Sequence, residues 1–285
     1  MARCNCNGCS RVGTHKISVD RRGGRNAYLC DYHYRNNNSY GTGNNAVTGT
    51  TKQNGVYIGA EFELSEADLK GRMEFTAMGT QPTNDSSLYG ASTVEFVFPT
   101  MRGLNKLSKD ARSIEKLMTG GHIGMNDSCG THLHVSTQGT RTAEGMDYVR
   151  RFYNSLFVPL TEAMQANPEA TKRLFGRYFT DYAPAIDMST PCRAGHNHTR
   201  YAWVNCTNSN RIEYRLVKFQ NAEQYIKVVK LCIEMTKCID KNFIEHFNDT
   251  PKDTTRYPNK TAYRKHKAQM TAQKLVDKFL KAIAE

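Results

Sequence analysis

From position 56 the chain alternates: Val56, Ile58, Ala60, Phe62 and Leu64 fall on one parity, Tyr57, Gly59, Glu61 and Glu63 on the other, which predicts a strand over Val56–Leu64. Thr93–Phe98 repeats the pattern, with Glu95 between Val94 and Phe96 and Pro99 as a stop. Leu104, Leu107, Ala111, Ile114 and Leu117 change to helical spacing. His132–Val135 reads as a further strand, and one long helix is expected from about Ala143 to Ala166, ending before Pro168. No element is assigned over 171–198. Arg200–Asn205 and Arg211–Leu216 read as strands joined by a turn at Asn208–Asn210. Asn221 is placed to cap a helix carrying Ile226, Val229, Ile233, Ile239 and Phe243. A last amphipathic helix covers Ala262–Ala284, with Met270, Leu275, Phe279 and Ile283 on its apolar side. Strands and helices mix without regular β-α-β alternation or a repeat of about 20 to 50 residues. The body is therefore expected to be α+β, built on a mainly antiparallel sheet with packed helices.

The first 33 residues differ in kind. Cys6 and Cys9, then Cys30 and His33, form two ligand pairs, each separated by two residues, which is the spacing of a closed tetrahedral Zn2+ site. Cys4 and His15 are spare candidates for the same shell. A module this small depends on its metal to fold. The Asn-, Gly- and Thr-rich stretch that follows reads as a flexible linker. The expected organisation is a zinc module at 1–34, a linker at 35–55, a main domain at 56–247 and a basic helical extension at 248–285.

Composition narrows the setting. The 285 residues hold 9 Cys, 39% hydrophobic residues and no apolar run long enough to cross a bilayer. The N-terminus opens polar and Cys-rich rather than with an apolar signal core, so no membrane association and a reducing, cytoplasmic setting are expected. The net charge of +12 is uneven. Residues 1–53 carry 8 basic and 2 acidic groups (+6), residues 248–285 carry 9 and 4 (+5), and the 22 and 21 between them leave +1. Nucleic-acid contact, if the protein makes it, belongs to the basic ends.

The chemistry lies in the middle. Glu61 and Glu63, His132 and His134, Glu213 and Arg215 are pairs two apart on expected strands, so each pair shares a sheet face, with Phe62, Leu133 and Tyr214 on the opposite one. Glu95 fits the same alternation. Burying so many ionisable groups without partners is prohibitive, so they must face water, one another or bound cations. Carboxylates suit Mg2+ or Mn2+, and histidine shifts the preference toward Mn2+. Arg215 and Arg200 add planar forks suited to phosphate or carboxylate.

These residues carry a resemblance. Gly59-Ala60-Glu61-Phe62-Glu63, Asp85 to Leu88 followed by Glu95 and Pro99, Cys129-Gly130-Thr131-His132-Leu133-His134-Val135-Ser136, Arg200-Tyr201 with Asn205, and Arg211-Ile212-Glu213-Tyr214-Arg215 resemble, in order, the motifs of the amidoligase family among the glutamine synthetase-like carboxylate-amine ligases. The N-terminal module resembles the short zinc-ribbon extension of some phage and prophage members, for which the host cytoplasm is the setting. The resemblance spans about residues 56–247 and leaves out the basic C-terminal helix. It implies a glutamine synthetase-like catalytic domain that uses ATP to phosphorylate a carboxylate, after which an amine displaces phosphate to give an amide or isopeptide bond. By position it implies that Glu61, Glu63, Glu95, His132 and Glu213 hold Mg2+. His134, Arg200 and Arg215 would contact phosphates or the substrate carboxylate, and Asp85 would orient or deprotonate the amine. Cys129 reads as structural, since the acyl-phosphate route needs no thiol nucleophile.

Two other readings stay open: a phage-type metal-dependent nuclease or nucleic-acid-binding zinc protein, and a non-catalytic binding protein that keeps the ligase fold. A flexibly tethered zinc module also suits the recruitment of a peptide or protein substrate.

Overall fold

The structure is a computed structural model and describes residues 15–18, 26–29, 55–102, 104–186, 202–208, 210–246 and 259–285. The chain divides into two compact units, Met1–Lys52 and Gln53–Glu285. In the first, the strands β1 (His15–Ser18) and β2 (Asn26–Leu29) pair antiparallel. The proposed zinc ligands Cys4, Cys6, Cys9, Cys30 and His33 lie outside the described residues, as do linker positions 35–54.

The second unit is α+β. Its main sheet is assembled from β3 (Tyr57–Leu64), β5 (Gln81–Thr83), β6 (Val94–Val97), β7 (Met101–Arg102), β9 (Thr131–Ser136), β10 (Val204–Asn205) and β11 (Ile212–Tyr214). The order is β10-β11-β9-β3-β6-β5, with β7 also pairing to β3, and every pairing is antiparallel. The short pair β4 (Glu66–Ala67) and β8 (Ile123–Gly124) stands apart from it. Pro82 sits in β5, the edge strand, where the missing N–H costs the ladder least.

Alternation separates the two faces of the sheet. Ile58, Ala60, Phe62, Leu64, Leu133, Val135, Ile212 and Tyr214 are all buried in the core. Phe62 is the hub, with ring centroids 5.4 Å from Phe98 and Tyr225 and 5.7 Å from Phe219. Cutting such a ring back to alanine costs about 3–5 kcal/mol.

The helices are α1 (Leu69–Ala77), α2 (Asn105–Thr119), α3 (Ala143–Arg151), α4 (Tyr153–Gln165), α5 (Pro168–Phe175), α6 (Ala222–His246) and α7 (Lys260–Ala284). Asn221 caps α6 as its sequence position indicated, its Oδ1 accepting from Gln224 N at 2.8 Å. The single helix expected over 143–166 is two helices. They break at Phe152 (φ −107°, ψ 16°), where Phe152 and Tyr153 are both buried and the Tyr153 hydroxyl donates at 2.5 Å to Val204 O. Pro168, read as a stop, also begins α5: it occupies the first turn, where its missing N–H has no intrahelical partner to lose. Met270, expected on the apolar side of the last helix, is 45% exposed, while Ala268, Ala272, Leu275 and Phe279 make the buried stripe. Among the described residues, no helix is long and apolar enough to cross a membrane.

Candidate metal centre

The second face of the sheet is where the charged residues meet. Register sets Glu61 opposite His132 across β3 and β9, Glu63 opposite Glu95 across β3 and β6, and Glu213 opposite His134 across β11 and β9. Directly opposed positions bring Cβ atoms to about 5 Å. The side chains accordingly converge.

His132 is the centre of the group. Its Nδ1 lies 3.4 Å from Glu61 Oε2 and 3.6 Å from Glu213 Oε1, and its Nε2 lies 3.4 Å from Glu63 Oε1. His134 Nε2 is 3.0 Å from Glu61 Oε1, without the alignment of a hydrogen bond. Arg211 Nε donates at 3.1 Å to His134 Nδ1, which makes Nδ1 the acceptor and leaves the proton of a neutral ring on the Glu61 side. Arg215 Nη1 donates to Glu213 Oε1 at 2.7 Å, and Asn205 Nδ2 donates to Glu213 Oε2 at 2.7 Å. Glu63 is held by the Gly130 amide at 2.6 Å, and Glu95 by the Thr83 hydroxyl at 2.5 Å. Glu63, His132 and Glu213 are buried; Glu61 and Glu95 are half-buried and form the open side.

Burial alone would raise the Glu61 carboxyl, but His134 and His132 outweigh it and hold Glu61 well below its ordinary value. Burial likewise opposes ionisation of Glu213, and His134, His132 and Arg215 together reverse it. Burial pushes Glu95 up, the Thr83 hydrogen bond offsetting only part. Burial would lower His132, but the neighbouring Glu61 and Glu63 carboxylates raise it instead.

Two donor sets result, Glu61–His132–Glu213 and Glu63–Glu95–His132, and within each the ligand atoms lie within 4.8 Å of one another. They fit hard divalent cations: oxygen-rich, with one nitrogen, as Mg2+ or Mn2+ prefers. The charge balance agrees. Four carboxylates face three guanidinium groups, those of Arg177, Arg211 and Arg215, leaving −1 before the histidines in a largely buried patch that a cation would offset. A neutral imidazole has one lone pair and one N–H, so His132 can ligate through one nitrogen while its other donates to a carboxylate of the second set.

Two contributors escaped the sequence reading. Arg211 belonged to a recognised motif but was given no role, although it sits two residues before Glu213 and so shares its face. Arg177 had no local signal. It reaches in from the loop after α5, and its Nε donates to Leu216 O at 3.2 Å, its Nη1 to Cys129 O at 3.4 Å and its Nη2 to Arg215 O. It thereby ties together the chain segments that carry Arg215 and Gly130. Burial lowers its pKa, which the Glu63 charge partly restores. Asp85 does not join the cluster: it lies on the β5–β6 loop, its Oδ1 accepting from Ser87 N at 2.8 Å. Cys129 is buried with Sγ 3.5 Å from Asn126 Oδ1, and burial pushes its thiol up, away from nucleophilic use. Arg200 lies outside the described residues.

No family model matches the chain, and no curated protein matches it. Among solved structures it is similar to a crystal structure described as a novel glutamine synthase homolog, with 11% identity and a TM-score of 0.32, over 80% of this chain and 65% of that one. The chain thus spans a little under two-thirds of that protein's length.

Proposed function

We propose that the protein is an ATP-dependent carboxylate-amine ligase working on the charged face of the sheet. The observation that carries this reading is the meeting of two acidic donor sets at His132, with Arg215 tied to one of them. Glu61, Glu63, Glu95, His132 and Glu213 would hold Mg2+ or Mn2+, and bound divalent ions would neutralise phosphate oxygens during phosphoryl transfer.

The remaining work falls to the chain's own side chains. A carboxylate oxygen of the substrate attacks the γ-phosphorus of ATP as the bond to ADP breaks. An amine nitrogen then attacks the acyl carbon, phosphate leaves with the bonding pair, and the amine gives up a proton. Arg215, oriented by Glu213, offsets charge on the transferring group; Arg200 is assigned the same task. His134, its ring set by Arg211, orients Glu61. The Asp85 oxygen not engaged by Ser87 is assigned to the amine, as orienter or base. The N-terminal unit would bind Zn2+ through Cys6, Cys9, Cys30 and His33 and recruit a peptide or protein substrate, in the cytoplasm.

Calorimetric titration with a non-hydrolysable ATP analogue tests this reading without knowledge of the substrates. Binding that requires Mg2+ and is lost in the Glu61→Gln, Glu63→Gln double variant is the expected result. A folded wild type that binds no nucleotide with Mg2+ present would overturn it.

A further inference from the structure

Among the described residues, the most basic element is α7, which takes no part in the proposed ligase chemistry. Within α7, Lys260–Ala284, there are seven Lys or Arg and one Asp, a net +6 (7 − 1). The cations are not scattered. Lys260, Arg264, Lys267, Lys274, Lys278 and Lys281 follow one another at steps of four, three, seven, four and three residues, the spacing that keeps side chains on one side of a helix. The missing member of the series is Thr271, which is buried. The ridge borders the buried stripe of Ala268, Ala272, Leu275 and Phe279, by which α7 packs on α4 and α6. Lys260, Lys274 and Lys281 are exposed, and Arg264, Lys267 and Lys278 are half-buried, with Arg264 Nε covered and Lys267 Nζ 5.3 Å from the centre of the Tyr263 ring.

The neighbouring helix α6 is neutral, with four Lys against four acidic residues, but it contributes lysines to the seam. On α6, Lys237 Nζ lies 3.0 Å from Glu234 Oε1, and from α7 Lys278 Nζ lies 3.4 Å from Glu234 Oε2, so one carboxylate is shared between two ammonium groups. Burial raises the Cys238 thiol on α6, and the charges of Lys274, Lys278 and Lys241 each lower it, against Glu234. At the other end, burial and then the nearby Arg151 charge lower the Arg264 pKa. Among the described residues, the acids beside the ridge are Glu234, already paired, Glu285, 3.9 Å from Lys281, and Asp277, which accepts from Gln273 at 3.0 Å. Gathering like charges in this way costs self-repulsion in the isolated protein, and a polyanion relieves it.

We infer that the α7 ridge, with the lysines of the α6 seam, is a binding surface for the phosphate backbone of duplex DNA. From Lys260 to Lys281 the ridge runs about 32 Å at the helical rise of about 1.5 Å per residue. One turn of duplex spans about 34 Å. Lysine ammonium groups are point-charge phosphate binders and read no sequence. The ridge positions are cations and one threonine, which suit phosphates; beside them lie the half-buried Tyr263, its ring 5.3 Å from Lys267 Nζ, and the exposed Met270 and Leu280, so single strand and acidic peptide are the competitors the test includes. This surface is independent of the ligase reading.

The test is fluorescence anisotropy of the full-length protein with a labelled duplex of about 30 base pairs, at about 50 to about 300 mM salt. The expected result is salt-dependent binding. In the Lys260→Gln, Lys274→Gln, Lys281→Gln variant, checked for folding by circular dichroism, affinity at the lowest salt falls at least about 100-fold and the log–log salt slope falls by up to about 2.7. Arginine at the same three positions retains both. The inference is overturned if the wild type does not bind duplex, if the glutamine variant binds with the wild-type slope, or if single strand or polyglutamate displaces the duplex as well as unlabelled duplex does.

Discussion

Glu63 and Gly130 hold each other twice: the Gly130 amide donates at 2.6 Å to the Glu63 carboxylate, and the Glu63 amide donates at 3.1 Å to the Gly130 carbonyl. Gly130 is fixed in type for a further reason. A Cβ there would stand 2.7 Å from Arg177 Nη2, on a guanidinium already committed to three backbone carbonyls. Gly130→Ala is therefore expected to cost about 1–3 kcal/mol of stability and to weaken divalent-ion binding through displacement of Glu63. Urea denaturation and a Mn2+ titration of the same variant check both effects.

Gly176 places Arg177. Its φ is +82°, and a Cβ would lie 1.8 Å from Lys218 O, so both the backbone and the space exclude a side chain. Gly176→Ala is expected to destabilise by about 2–4 kcal/mol, read from the shift of the urea midpoint at unchanged slope. Unchanged stability would show that the α5–Arg177 turn does not hold the site.

Asp240 on α6 ties down the loop before α3, accepting from the amides of Gly139 and of Thr140, the latter at 3.1 Å. Burial pushes its carboxyl above the ordinary 3.8, and the hydrogen bonds from Thr137, Gly139 and Thr140 offset only part. The folded state therefore holds this proton more tightly than the unfolded chain, so the stabilisation is complete below pH 3.8 and is lost as pH rises through the raised value. Asp240→Asn keeps an acceptor and removes the titration. Across that window the wild type should lose stability relative to the variant, as measured by thermal melts at stepped pH; parallel curves would refute the assignment.

The sheet was legible because its signal is local. Period-two alternation put Glu61 with Glu63 and His132 with His134, and the register then joined pairs that the sequence had placed on separate strands. The first helix was not legible: α1 buries only Gly71 and Phe75, while Leu69 and Met73 are 74% and 63% exposed, so its apolar residues trace no core-facing stripe. Arg177 was invisible for another reason, since its three carbonyl partners lie at least 38 residues away and only the folded chain brings them into reach. The site's carboxylates and Arg215 could be named from spacing, whereas Thr83, which holds Glu95, and Arg177, which ties the segments around Gly130 and Arg215, could not.

Mn2+ tests most directly whether the charged face of the sheet is a divalent-ion site. Titration of the folded protein, followed by the loss of the free-ion electron paramagnetic resonance signal, should give saturable binding by the wild type. Glu61→Gln with Glu213→Gln should weaken that binding at least about tenfold, the factor that about 1.4 kcal/mol of lost ligand energy produces. A wild type that binds no Mn2+, or a variant that binds it as tightly as the wild type, would contradict the claim.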